Sequence, residues 1–447
     1  MTNKDNQILR DGFTSKLGFT LASVGSAVGM GNIWRFPVMV SLWGGMSFLL
    51  PYFLFVILIA STGVIEEYSL GRLTKSGPVG AFGYAMDKKN KRKLGERLGI
   101  ITVAGSLALA IGYTCVMGWI FKYTFMALNG DLAGLGTNMD TIAGVFGQTA
   151  SSFGNNLWII VAGVISLAIM SLGVSKGIEK INKILMPILF FLLLGLGIYI
   201  FNQPGASEGY KYIFSLDTNK LSDIKLWVFA FGQAFFSLSI AGNGSVIYGS
   251  YLSSKEDIPS AARNVVFFDS LSAILASLVI IPAMAVGNAD LSEGGPGLMF
   301  IYLVNVFNQM QGGKIIMIIF YVAILFAGIS SIINLYEAPV AYLEENHGFR
   351  RFNAAALINI IGIIVALLIQ GIVGEWMDAV SIHIAPLGAL IAGIMFFWIL
   401  DKEEILEEVN KGRKRALGPY FIPMGRYLYC PLALIALIAG MIFGGIG

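Results

Sequence analysis

Histidine and cysteine are almost missing from this 447-residue sequence, with two of each. His347 and His383 alone give imidazole catalysis or a His-based metal centre little to work with. Cys115 and Cys430 each fall inside an apolar run, where a thiol packs as a small hydrophobe rather than forming a disulfide or a metal pair. Charge is scarce too. Only 13% of residues are Asp, Glu, Lys or Arg, against about 25% in a soluble domain. No nucleophile–base set stands out, so an enzyme is the least favoured reading. A net charge of +3 gives no reason to expect nucleic-acid binding.

What is present is apolar. Hydrophobic residues make up 56% of the chain, and the mean hydropathy is +0.74. A bilayer core about 30 Å thick needs about 20 apolar residues per helix. Eleven such spans are read at 15–38, 41–70, 98–128, 155–173, 178–202, 226–252, 260–287, 314–343, 353–371, 376–400 and 427–446. The first run continues well past the length of a signal core and shows no small-residue cleavage site, so no cleavable signal is expected. Basic residues cluster after every even-numbered span: eight lie between Arg72 and Arg97, and others sit near Lys176, Lys255, Arg350 and Arg413. The segments 129–154 and 288–313 hold no Lys or Arg. The positive-inside rule therefore predicts a cytoplasmic N-terminus and, with an odd count, an external C-terminus.

Two spans are interrupted at corresponding places. Span 1 contains GSAVGMGN (25–32) and span 6 contains SLSIAGNG (237–244). One glycine costs a helix about 1 kcal/mol relative to alanine, and in membranes it often serves packing. Three glycines in seven residues, followed by Asn32 and Arg35, point instead to unwound backbone. Such backbone is tolerated at membrane depth only where protein or a wet cavity satisfies it. A broken helix offers carbonyls to a cation at one end and N–H groups to a carboxylate at the other. Two five-helix halves, each opening with a broken helix, are the pattern of an inverted repeat. The predicted architecture is one all-α transmembrane domain of eleven helices over 1–447. Its repeats are 15–202 and 226–400, with an extra helix at 427–446.

GSAVGMGNIWRFP strongly resembles the first-helix signature of the neurotransmitter:sodium symporters, whose bacterial members carry amino acids. FFSLSIAGNG, FAGISS (326–331), Gly71–Arg72 and the IGY ending at Tyr113 extend the resemblance over the whole chain. Eleven spans match the shorter bacterial branch. The resemblance implies sodium-coupled import of an amino acid by alternating access across a bacterial cytoplasmic membrane. No obligatory protein partner is implied beyond the lipid bilayer. A channel should show a continuous polar stripe, whereas polar residues here cluster at mid-depth. A transport-dead receptor is opposed by the gate pairs described below.

The same resemblance implies two sodium sites. The first would use the Ala27 carbonyl, Asn32, Ser237 and Asp269, an acid where many members have asparagine, in an alignment that needs one gap. Asp269 would supply locally the negative charge that a chloride supplies in dependent relatives, so no chloride is expected. Acids inside a span are costly and usually functional. The second site would use carbonyls of Gly25, Val28 and Ala327 with the hydroxyls of Ser330 and Ser331. The last three lie on one helix face. The substrate carboxylate would meet the first sodium, the N–H groups around Gly29–Gly31 and the Tyr113 hydroxyl. The ammonium would meet carbonyls near Ala27, Phe236 and Ser239.

Leu109, Phe236 and Leu335 would line an apolar side-chain pocket. Ala241, Gly242 and Asn243 stand where the bacterial leucine-transporting relative has glycine–phenylalanine–glycine. Gly242 in place of phenylalanine enlarges the pocket and favours bulky hydrophobic or aromatic amino acids, and Asn243 and Asn334 leave room for a polar tip. Arg35 with Asp378 would close the outer vestibule. Arg10 with Glu345, braced by Tyr251, would close the cytoplasmic side. Glu67 matches an acid that holds the unwound part of span 6, and Glu66 and Glu337 are read as structural. Gly177 and Pro187 enclose nine residues, as in a family motif for local unwinding of helix 5.

Overall fold

The computed structural model describes residues 12–238, 244–287 and 296–443. Among them no strand occurs. Seven helices are long and apolar enough to cross a membrane: Met46–Thr74, Arg92–Asn129, Val174–Phe201, Ile258–Val286, Gly313–His347, Arg351–Ile399 and Phe421–Phe443. Asn156–Ser171 and Ile224–Ser237 are apolar but shorter. Seven is fewer than the eleven spans read from sequence, for two physical reasons. The 49-residue run Arg351–Ile399 takes in two of those spans, joined through a 3₁₀ turn at Gln370–Ile372. The first span is interrupted at Val28, the fourth is only the 16-residue helix Asn156–Ser171, and of the sixth the described pieces are Ile224–Ser237 and Gly244–Ser250; each is too short to qualify.

Several segments read as loops are helical: Pro78–Asp87, Met139–Ala150, Ala206–Phe214, Leu298–Gln309 and Lys402–Asn410. They are too short for a search built on 20-residue apolar runs. Pro78 at the first helical position and Asn138 as N-cap, accepting from the Thr141 N–H at 3.0 Å, were the available start signals.

The first helix, interrupted at Val28, and the described pieces of the sixth span lie inside the bundle. Lys16–Ala27 packs against Lys180–Phe201, Ile258–Val286 and Gly313–His347. Met46–Ile59 packs on Ile224–Ser237, and Ile65–Thr74 on Gly244–Ser250. The last contact is close because of paired glycines. A Cβ on Gly71 would sit 1.9 Å from the Val246 carbonyl oxygen, and one on Gly249 would sit 2.4 Å from that of Tyr68. Small residues at such crossings let backbones touch, the usual route to affinity between helices in lipid. Outer helices keep apolar side chains exposed, such as Phe191 at 73% and Ile442 at 70%. In a bilayer these meet acyl chains.

A polar clasp ties the ends of these helices together. Arg72 donates from Nε to Glu408 Oε1 at 2.5 Å, from Nη2 to the Glu408 carbonyl at 2.5 Å and from Nη1 to the Glu256 carbonyl at 2.6 Å. Both side chains are 1% exposed. Lys411 approaches Glu408 Oε2 at 2.8 Å, and this hydrogen bond holds its ammonium above the ordinary lysine range. Arg413 reaches Asp257 at 2.8 Å. Leaving a buried charge unpaired costs about 3–5 kcal/mol, whereas an exposed i,i+4 pair contributes about 0.3–0.5 kcal/mol. Glu408→Gln is therefore expected to lower the thermal midpoint in detergent sharply. Glu96→Gln, which removes the exposed Arg92–Glu96 pair, should leave it within about a degree. Equal effects of the two substitutions would refute this account of the clasp.

Candidate functional site

Helix Lys16–Ala27 stops at Val28, whose backbone is extended (φ −76°, ψ 101°). The chain resumes as a π-helical turn, Gly31–Arg35, and then as helix Phe36–Trp43, which starts with Pro37 in its first turn. Freed N–H groups at the break need partners in a medium without water. Asn32 supplies one, since its Oδ1 accepts from the Gly29 N–H at 3.2 Å. Its Nδ2 faces outward from the same turn. It donates to Asp269 Oδ1 at 2.6 Å and to the Asp269 carbonyl at 3.0 Å, with Ser237 Oγ at 3.4 Å.

Ser237 is the last residue of helix Ile224–Ser237. Its hydroxyl donates to Asp269 Oδ2 at 2.7 Å, and the Tyr52 hydroxyl lies 3.4 Å from Ser237 Oγ. Asn32 and Asp269 are wholly buried and Ser237 nearly so. No Lys, Arg or His of the described residues lies within 4.0 Å of the Asp269 carboxylate. Moving a carboxylate into such surroundings costs several kcal/mol unless a positive charge accompanies it. The cluster is thus an oxygen-rich site with a charge deficit, suited to a hard monovalent cation.

A second oxygen group lies across the break. Ser330 Oγ donates to the Ala327 carbonyl at 2.7 Å, and Ser331 Oγ reaches the Val28 carbonyl at 3.5 Å. Gly29 presses on Ser331, because a Cβ there would sit 2.2 Å from Ser331 Oγ. Gly25 abuts Ser330 in the same way, at 3.1 Å from its Cβ. The residues named for a second ion therefore come from the break and from one face of helix Gly313–His347.

Between these groups is a cavity. Ala27, Gly29, Gly31 and Asn32 line it from the first helix, and Leu109 and Tyr113 from helix Arg92–Asn129. Phe236, Ser237, Asn334 and Leu335 complete the expected set. Ser239, Ala241, Gly242 and Asn243 lie outside the described residues. Ser26, Ser106, Ser381 and Ala385 also line the cavity and were not anticipated. Isolated serines in apolar helices usually bond backbone. Ser106 does so with the Leu335 carbonyl at 2.8 Å and Ser381 with that of Met377 at 2.7 Å. Nothing in sequence separates them from ordinary packing serines.

A second cavity of about 410 Å³ lies beyond Tyr113 and Phe236, which line both. Arg35 and Asp378 face it together with Trp34 and Trp119. The Arg35 guanidinium stacks 4.7 Å from the Phe236 ring centroid. No carboxylate of the described residues is within 4.0 Å of it, so Arg35 and Asp378 share a chamber without forming an ion pair.

At the other end, Glu345 accepts from Ser76 Oγ at 2.7 Å and from the Gly77 N–H at 2.9 Å. Arg10 lies outside the described residues. The Tyr251 hydroxyl donates to Glu337 at 2.6 Å, and Arg351 pairs with the same carboxylate at 2.6 Å. Glu66 and Glu67 are fully buried, and their oxygens have no hydrogen-bond partner among the described residues. Gly177 lies in a π-helical turn, Val174–Glu179, at the start of its helix, and Pro187 lies inside the following α-helix.

Comparisons with known proteins agree with this geometry. The profile of the sodium:neurotransmitter symporter family matches residues 10–143 and 136–442. The sodium-dependent transporter YhdH of Bacillus subtilis (strain 168) is 31% identical over 452 residues, covering 96% of this chain and 97% of that protein. A sodium-dependent transporter of Methanocaldococcus jannaschii is 29% identical, covering 92% and 86%. The crystal structure of MhsT in complex with L-phenylalanine superposes with a TM-score of 0.84 at 32% identity, covering 96% of this chain and all of that one.

A ligand that binds only the folded state at 100 times its Kd adds about 2.7 kcal/mol of stability. Replacing potassium by sodium at constant ionic strength is therefore expected to raise the melting temperature of the purified protein. Asp269→Ala should abolish much of that rise, since it removes both the buried negative charge and its oxygens. An undiminished sodium effect in the variant would exclude Asp269 from the cation site.

Proposed function

The chain belongs to the sodium:neurotransmitter symporter family, and from that premise we propose that it imports a neutral, bulky hydrophobic or aromatic L-amino acid together with sodium, by alternating access and without chloride. The observation that carries this reading is the break at Val28, flanked by oxygen groups on both sides and opening onto an apolar cavity. A zwitterion suits such a break. Its carboxylate would meet a cation and the N–H groups around Gly29–Gly31, and its ammonium would meet carbonyls near Ala27 and Phe236.

Two sodium ions fit the residues present. The first would sit at the Ala27 carbonyl, Asn32, Ser237 and Asp269. The second would sit at the carbonyls of Gly25, Val28 and Ala327 with Ser330 and Ser331. Asp269 would supply a negative charge beside the first, which supports chloride independence. Leu109, Phe236 and Leu335 give the apolar wall. Asn334 Oδ1 has no partner among the described residues, while its Nδ2 is held by the Ser330 carbonyl at 2.7 Å. That oxygen is available to a polar substrate tip such as a tyrosine hydroxyl. The MhsT relative binds L-phenylalanine, in keeping with a large side chain.

The topology we adopt has eleven spans in two inverted halves, 15–202 and 226–400, with a cytoplasmic N-terminus and an external C-terminus. Asp378 approaching Arg35 would then close the outer chamber over bound substrate. Unwinding between Gly177 and Pro187 would admit water to the second ion from the cytoplasm. Energy is not limiting: each sodium ion crossing 100 mV supplies about 2.3 kcal/mol, and a tenfold substrate gradient needs about 1.4 kcal/mol.

The test is uptake of labelled tryptophan, tyrosine, phenylalanine, leucine and glycine into vesicles containing the purified protein. Accumulation is expected with external sodium but not with potassium or choline, undiminished when gluconate replaces chloride, and greater for the large side chains than for glycine. Binding without accumulation would mean a receptor, and uptake indifferent to sodium would remove the coupling. In the same vesicles Pro187→Ala should slow uptake several-fold at saturating substrate while leaving sodium-dependent amino acid binding within about twofold. A normal rate would separate this proline from the transport cycle.

A further inference from the structure

Asn182 lies between Gly177 and Pro187 and is wholly buried. Its Nδ2 donates to the Ile178 carbonyl at 2.8 Å, which fixes the amide and turns its oxygen the opposite way. That oxygen accepts no hydrogen bond from the described residues. It is aimed at the first helix. A Cβ built on Gly25 would lie 2.0 Å from Asn182 Oδ1 and 3.1 Å from the Ser330 Cβ. The amide oxygen, Gly25 and Ser330 therefore meet at one point. Leaving a buried amide oxygen unpaired is costly, and an apolar side chain would fill this space without that cost. A hard, neutral oxygen ligand is also what a sodium ion takes up.

The surroundings tie this oxygen to the movement of helix Val174–Phe201. Ile178, which anchors the amide, belongs to the π-helical turn Val174–Glu179. The neighbouring Glu179 carboxylate accepts from the Thr14 N–H at 2.7 Å, the Thr14 hydroxyl at 2.8 Å and the Ser15 hydroxyl at 3.0 Å. Lys183 closes on it at 2.6 Å. The start of the first helix is thus fastened to the turn that positions Asn182. Opening of that turn would release the first helix and move the amide away from Gly25 together.

We propose that Asn182 is a relay ligand for sodium, whose amide oxygen takes the ion from the second site as helix 5 opens and passes it toward the cytoplasm. The proposal rests on the second-site reading given above, and the experiment separates the two. Full-length protein is loaded with ²²Na⁺, and dissociation is followed on dilution into potassium buffer, beside equilibrium ²²Na⁺ binding. Asn182→Ala is expected to slow dissociation about tenfold, about 1.4 kcal/mol in barrier, with equilibrium affinity within about twofold. Asn182→Ser, which keeps an oxygen, should recover most of the rate.

Dissociation of Asn182→Ala at the parent rate would overturn the relay. So would a large loss of equilibrium affinity, which would make Asn182 a resident ligand instead. Failure of the serine variant to recover the rate would assign the effect to packing and also overturn it. Ser331→Ala serves as the control, because unchanged sodium binding there would remove the second site itself, whatever Asn182 does. Monodisperse elution of each variant guards against misfolding.

Discussion

A backbone that leaves its helix inside a membrane must find new partners, and the structure depends on how Asn32 meets that demand. With one side chain it caps the Gly29 N–H and donates to Asp269. The opening of the first helix is thereby joined to helix Ile258–Val286 and, through Ser237, to the end of helix Ile224–Ser237. Without such a partner each freed N–H would cost several kcal/mol in a low-dielectric interior, and the chain would recover a continuous helix by closing the break. The break persists because its polar groups are satisfied, the Gly29 N–H by Asn32 of the same turn and the Val28 carbonyl by Ser331 of a neighbouring helix.

The second constraint is charge. Asp269 carries hydrogen bonds from Asn32 and Ser237 but no cation from the described protein. Hydrogen bonds reduce the cost of a buried carboxylate without cancelling it. Glu408 is the useful contrast. It is equally buried, but Arg72 neutralises it from the chain itself. One carboxylate is complete within the protein and serves structure; the other has no counter-charge among the described residues, which is what the proposed cation site rests on. The same residue chemistry separates into two roles according to whether its counter-charge is built in.

Much of this was legible in the sequence because membrane solvation leaves few options. Apolar runs had to be helices, glycine clusters with Asn32 had to be irregular, and the spacing of Ala327, Ser330 and Ser331 put them on one face. Short surface helices such as Met139–Ala150 were not legible, since nothing about them departs from a polar loop except local capping. The clasp from Arg72 to Glu408 spans 336 positions, and no local pattern marks such a pair. Asn182 was passed over for another reason. An asparagine in a helix reads as ordinary, and only the structure shows that its donor is used while its acceptor is not.

The geometry also suggests why ion and substrate binding are linked. Val28 offers its carbonyl to Ser331 on one side, and Gly29, the next residue, gives its N–H to Asn32 on the other. Both oxygen groups therefore act on the same two or three backbone units. An ion drawn to either group fixes the torsion angles of that stretch and so sets the N–H groups that a carboxylate would meet. Ordering a residue costs about 1–2 kcal/mol. A ligand that finds the stretch already ordered avoids part of that cost, which is positive cooperativity without direct contact between the ligands. Departure of an ion on the side of Gly25 would loosen the stretch for every ligand that shares it. Coupling then needs no long relay through the bundle, because the shared element is the break itself.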